Sequence, residues 1–293
     1  MSSISIITSS FWRDFESFRL LCDSIDAYAT GYSRHYVLVS PEDRAQFSVL
    51  AGPRRQIVDV TELLPIRLFG IPLTWKGRRY SWAPGLNGPI YGWHQQQLFK
   101  IAMTRAQTEE RALHIDSDIW FCRPTDLSAM AEASVTSLRR VPAAIDASLP
   151  RHVEWWRNAH RLLGFGDAPL PGDDYIGGMI TWERASVEAM VARIESVSGR
   201  DWAQAIARTR NFSEYLLYGL MVSRTPDLLE RHRIVADSPC HVYWEGPALD
   251  EAGFATFVSG LRADQSTICI QSSTATPIDL ARRFILGPRE MAA

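Results

Sequence analysis

The N-terminal part of the chain alternates short β-rich runs with segments of helical periodicity, which leaves few folds open. Ile4 to Ser10 is β-rich and ends in hydroxyl residues. It passes into Phe11 to Tyr28, where Phe15, Phe18, Leu21, Cys22 and Ile25 recur at helical spacing. His35 to Ser40 is a second run, closed by Pro41 at a helix start before Glu42 to Leu50. Gln56 to Val60 is a third, and His94 to Gln107 reads as a helix feeding a fourth, Leu113 to Phe121. This order predicts an α/β fold with a mostly parallel twisted sheet and helices on both faces. Ligands of such sheets bind beyond the carboxyl ends of the strands. Thr8, Ser9 and Ser40 fall there.

The fourth run carries the chemistry. Leu113-His114-Ile115-Asp116-Ser117-Asp118-Ile119-Trp120-Phe121 is an apolar strand interrupted by carboxylates at i and i+2. In extended backbone both side chains leave the same face, and two like charges so close require a proton or a cation between them. Mg²⁺ or Mn²⁺ held by one or two carboxylates keeps positions open for substrate phosphates, so Asp116 and Asp118 are candidate metal ligands. A polar turn that merely ends a strand is the other reading of the same residues.

The rest of the chain sets limits. Its 293 residues can bury a substantial core, and we read one domain over 1–293, with a nucleotide- and metal-binding half to about 125 and an acceptor-binding half beyond it. With 31 basic and 33 acidic residues the net charge is −2, which gives no general attraction to nucleic acid or anionic membrane. No apolar run approaches the roughly 20 residues that span a bilayer, and no basic segment precedes the apolar residues at the start. A cytoplasmic protein is expected. Cys22, Cys122, Cys240 and Cys269 are isolated and expected as buried thiols. Arg67 to Trp93 reads as a long irregular loop with turn-forming Pro84 to Pro89, and Arg139 to Pro150 as a connection. Later helices are expected at His152–Leu163, Glu183–Ser196 and Phe212–Val222, with strands at Tyr175–Trp182 and Thr267–Gln271.

Other residues are candidates by position. Trp93, Gln96, Gln97 and Lys100 share one helical face, and since this helix enters the acidic strand, Gln96 and Lys100 are placed to meet the same ligand, Lys100 as a point charge against phosphate. Gly177-Gly178 inside an apolar strand marks a bulge or a close approach, which would make a pocket wall in which Asp174 accepts hydroxyl groups; a simple turn fits Asp174 equally. His241 would add a ring nitrogen to the metal site, and Gln271 is the alternative.

Taken together, Asp116-Ser117-Asp118, the motif Gly92-Trp93-His94-Gln95-Gln96-Gln97-Leu98-Phe99-Lys100, Tyr175-Ile176-Gly177-Gly178, and Phe212 to Gly219 resemble glycosyltransferases of the GT-A fold, and more closely a bacterial branch of functionally unassigned GT-A-like proteins. The resemblance spans roughly residues 4 to 275. It implies a nucleotide-sugar donor, a carbohydrate or small-molecule acceptor, and Mn²⁺ or Mg²⁺ held against the diphosphate. It makes Asp118 the direct ligand, puts Asp116 on the ribose or a bound water, and sets Thr8 and its neighbours against the nucleotide. Glu214 becomes the base of an inverting transfer, whereas the residues alone also allow a capping box with Asn211 as N-cap. Two other classes stay open: a metal-dependent phosphohydrolase with Asp116 as nucleophile, and an inactive sugar- or nucleotide-binding protein.

Overall fold

The computed structural model describes residues 3–75 and 78–287. In chain order the elements that position the site are β1 (Ile4–Ser9), α1 (Phe15–Tyr28), β2 (His35–Val39), β3 (Arg55–Asp59), α2 (Gly92–Ala106), β4 (Arg111–Ile115), β5 (Ile119–Phe121) and β6 (Thr136–Arg139). They are followed by α3 (Pro150–Leu163), β7 (Met179–Glu183), α4 (Arg184–Ser198), α5 (Glu214–Arg224), β8 (His232–Val235), β9 (Cys240–Tyr243), α6 (Glu251–Ser259), β10 (Thr267–Ile270) and α7 (Ile278–Leu286).

The main sheet has the order β7-β4-β1-β2-β3. β4, β1, β2 and β3 run parallel, and β7 closes one edge antiparallel to β4. Both faces are covered, as the alternation of strands and helices predicts. Ile4, Ile6, Val37, Val39, Leu113 and Ile115 turn to one side, where they cluster with Phe18, Leu21 and Ile25 of α1. Ile7, Tyr36, Leu38 and Ala112 turn to the other and meet Phe99 and Met103 of α2. The period of two along each strand gives each helix an apolar floor, and full burial of one such side chain contributes roughly 1.5–3 kcal/mol.

Behind α2, the helices α3, α4 and α5 form a larger apolar cluster around Trp156, Trp182 and Trp202. The C-terminal segment packs elsewhere. β9, β10 and β5 make a three-stranded sheet with β10 in the middle, parallel to β9 and antiparallel to β5. Cys269, Leu280 and Ile285 join α1 in the core, and the Tyr28 hydroxyl donates to the Ile285 carbonyl at 2.6 Å. Among the described residues, no helix is long and apolar enough to cross a membrane.

Three stretches differ from the sequence expectation. Arg67 to Trp93 is mostly ordered into an antiparallel sheet of Phe69–Trp75, Arg78–Trp82 and Ile90–Tyr91, because Trp75, Tyr80 and Tyr91 belong to β-favouring alternations on either side of the Pro84 to Pro89 turn. Arg139 to Pro150 contains the strand Val141–Ile145, paired antiparallel to Gly172–Asp174. The acidic run does not stay extended. β4 stops at Ile115, the Ile119 N–H donates to the Asp116 carbonyl at 3.1 Å, and the chain turns from the main sheet into the small one. All four cysteines are free thiols, and Cys122 is only half-buried.

Candidate functional site

The acidic turn sits at the carboxyl end of the parallel strands, pinned from both sides through Ser117. The Ser117 hydroxyl donates to Ser10 Oγ at 2.8 Å, and Ser17 Oγ donates to the Ser117 carbonyl at 2.7 Å. With Ser117 turned inward, Asp116 and Asp118 are left on the outer side of the turn. The Asp116 side chain is 42% exposed. Asp118 is half-buried, and its carboxylate accepts from the Ser272 N–H at 3.4 Å, with the Cys269 thiol 4.0 Å away.

Lys100 stands behind the turn. Its Nζ lies 2.7 Å from Asp116, 3.0 Å from Glu214 and 3.0 Å from the Tyr215 hydroxyl. Lysine has three donors, and here three acceptors take them. The shared helical face of Trp93, Gln97 and Lys100 is therefore turned inward: Trp93 stacks on Trp155, Gln97 Oε1 accepts from the Glu214 N–H at 3.1 Å, and Lys100 is only 4% exposed. Gln96, on the same face, is half-buried. Lys100 thus binds carboxylates of its own chain, and a phosphate would have to displace one of them.

Glu214 is the first residue of α5, after Ser213 as N-cap, and is 3% exposed. The capping box with Asn211 as N-cap does not form. The helix starts two residues later, and the first N–H is satisfied by Gln97 instead.

Electrostatics set this cluster apart. Burial works against the Lys100 charge, but Asp116, Tyr215 and Glu214 outweigh it and hold the ammonium well above its ordinary range. Burial pushes the Glu214 carboxyl up while Lys100 pulls it back, leaving it raised. Asp118 is pushed to about 7 by burial and then by Asp116, and Asp14, also near Asp116, to about 6 by the same two causes. The turn thus holds more carboxylate charge than Lys100 offsets. Hard oxygen donors with that excess fit a divalent cation whose remaining positions go to water or phosphate. The described residues contain no group of three or more His, Cys, Asp or Glu side chains able to hold a metal.

His241 is not brought to the turn. Cys240 faces Gly178 and Ile119. Alternation along β9 then puts His241 on the opposite side, where its ring stacks on Phe257 and Nε2–H donates to the Phe257 carbonyl at 2.9 Å. The neighbour of Asp118 is instead Ser272, next to Gln271. Thr8 is also inward. Arg55 Nε–H donates to His35 Nδ1, so His35 Nε2–H donates to Thr8 Oγ1 at 3.1 Å inside the core. Ser9, one residue on, is buried with no protein partner for its hydroxyl among the described residues.

Gly177 and Gly178 lie beside the turn. Met179 pairs with Ile115, the last residue of β4 before the turn, and Ile119 lies against Gly178. A Cβ on Gly177 would sit 2.7 Å from Arg139 Cδ, and one on Gly178 2.5 Å from Cys240 Sγ. The glycines admit protein side chains, so packing accounts for them. Asp174 accepts from the Ile176 N–H at 3.0 Å, the turn reading of that residue. Asp14, Tyr215, Gln97 and Ser272 were not legible as partners of the site. Tyr215, Gln97 and Ser272, each beside a candidate residue, carried some signal; Asp14 carried none.

A buried histidine close by gives a pH test. Burial holds His94 near 4, and its Nε2–H donates to the Ile206 carbonyl at 3.3 Å. The unfolded chain takes this proton near 6.5 and the folded one does not, so the stability present above about 6.5 is lost as pH falls towards about 4, at up to about 1.4 kcal/mol per pH unit. Asp14 and Asp118, whose folded values are raised, act with the opposite sign. The measurement is therefore the difference between wild type and His94→Gln, and urea titrations should show a shallower loss on acidification in the variant. Equal slopes would mean that His94 is charged in the folded protein.

No curated protein matches the chain. A solved structure that it resembles, the galactosyltransferase LgtC in complex with donor and acceptor sugar analogues, superposes with a TM-score of 0.44 at 12% identity over 91% of this chain and 86% of that one. The model of a family of unknown function, DUF6492, matches residues 1–283, and the chain belongs to that family.

Proposed function

We propose that the protein is a metal-dependent glycosyltransferase that takes a sugar from a nucleoside-diphosphate donor and passes it to an acceptor hydroxyl with inversion. The observation that carries this reading is the acidic turn: two carboxylates at the carboxyl end of a parallel sheet, with more negative charge than Lys100 offsets. The sheet and the turn together are what the GT-A resemblance implies. When bound, the cation would neutralise the diphosphate and stabilise it as leaving group. Asp118 and Asp116 would hold that cation. Lys100 fixes Asp116, and Ser9, buried and without a protein partner for its hydroxyl, lies where the nucleotide would run. Glu214 would take the proton of the acceptor hydroxyl, which requires the acceptor to open the buried Lys100 cluster, since Glu214 is 3% exposed; its carboxylate and that of Asp116 share the Lys100 ammonium.

The test is calorimetric and thermal. Uridine and guanosine diphosphates should bind in the presence of Mn²⁺ and lose binding on chelation, and a saturating ligand at about 100 times its dissociation constant should add about 2.7 kcal/mol to the stability of the fold. Asp118→Ala should keep the fold and abolish the metal-dependent part. Nucleotide affinity that is the same with and without chelator would refute the metal bridge.

A further inference from the structure

Next to the acidic turn lies a cleft of about 240 Å³, whose wall includes Arg139, Gly178, Ser238, Cys240, Trp244 and Arg262. Two of the arginines differ in kind. Arg262 is neutralised by Asp264 at 3.0 Å and Asp237 at 3.3 Å. Half-buried Arg139 has no carboxylate within ion-pair distance among the described residues; the nearest counter-charge that acts on it is Asp174, and its Nε and Nη1 are buried without a protein acceptor. Its stem is fixed, because Cδ packs where Gly177 lacks a side chain. A guanidinium cannot shed its charge, so one that lines a cleft with no carboxylate in ion-pair contact suits an anionic ligand there. Trp244, 47% exposed, offers an indole face in the same cleft.

We propose that this cleft is a subsite for a sugar-sized ring bearing an anionic group, a carboxylate or a phosphate, with Arg139 taking the anion and Trp244 the ring. Gly178 and Cys240 of the wall lie against Ile119, the residue after Asp118, so the ligand would lie near the acidic turn as the acceptor; that last step rests on the transferase reading, and the anion site does not.

The test uses neither nucleotide nor metal. Ligand-observed NMR titrations with glucuronate, glucose 6-phosphate, glucose and inorganic phosphate compare wild type with Arg139→Gln, Arg139→Lys and Trp244→Ala, each checked by its melting temperature. At least one of the two anionic sugars should bind tenfold or more tightly than glucose to the wild type, and which one does identifies the anion. Arg139→Gln should bring that sugar down to the level of glucose, with Arg139→Lys in between. Trp244→Ala should weaken the sugar and leave inorganic phosphate unchanged. Equal binding of all three sugars to the wild type overturns the proposal without any variant. Anion binding that survives Arg139→Gln overturns it too. If these titrations succeed while the Mn²⁺-dependent nucleotide binding fails, the transferase reading falls and the subsite stands.

Discussion

Lys100→Met is expected to cost about 3–5 kcal/mol of folding stability, the scale of breaking one partner out of a buried ion pair. Asp116 is not the reason, since its side chain is 42% exposed and water can solvate it. Glu214, at 3% exposure, has no such outlet and would be left charged and unpaired in the core. It would then take a proton, and the lost stability reports that cost. Urea denaturation of Lys100→Met, Glu214→Gln and the double variant measures it. The double variant should recover a large part of the loss, because a neutral amide beside methionine no longer needs a cation, and contacting pairs of this kind couple by about 0.5–3 kcal/mol. A Lys100→Met protein of wild-type stability would mean that Lys100 is not the counter-ion of Glu214.

Glu214→Gln alone should have the largest effect on activity. The amide keeps an oxygen that can accept from Lys100 and leaves the Glu214 N–H to Gln97, so the melting temperature and the donor affinity should stay near wild type. It cannot accept a proton, and losing a general base typically costs about 10²- to 10⁴-fold in rate. The measurement is transfer from the donor that binds in calorimetry to the acceptor that binds the Arg139 cleft. Near-native transfer would sink the base and leave Glu214 as the residue that holds Lys100 in place.

The main sheet was legible because its first two strands carry β-branched residues and pass into helical periodicity within a few residues, and α2 leads into the fourth. The mostly parallel sheet and the two-sided cover follow from that alternation; the strand order and the antiparallel edge strand do not. The pairing of the small sheet was not legible, although the strand at Thr267–Ile270 was. β9 and β10 are four residues each, and their partner β5 lies far back in the sequence, a pairing that no local pattern records. The same limit applies to the site. Asp116, Asp118, Lys100 and Glu214 were singled out from residue type, spacing and resemblance, and the structure brings Lys100 onto both Asp116 and Glu214. Where Lys100 points depended on Glu214 and Tyr215 waiting more than a hundred residues away. His241 was misplaced because sequence does not tell which face of an isolated four-residue strand looks at the turn. Gly177-Gly178 was recognised as a close approach, but the approaching groups are Arg139 and Cys240.

The pairing of β5 with β10 also fixes when the acidic turn is completed as the chain is made. The turn that holds Asp118 is made early, yet the Ser272 N–H that meets its carboxylate is 154 residues further on, and β5 has no other strand to lie against until β10 arrives. A nascent chain could close the parallel sheet and pack α1 and α2 while one shoulder of the turn is still missing. The backbone donor that meets Asp118 thus joins the turn only after β10 has been made, and a chain cut short before β10 would carry both aspartates without the frame that aims them.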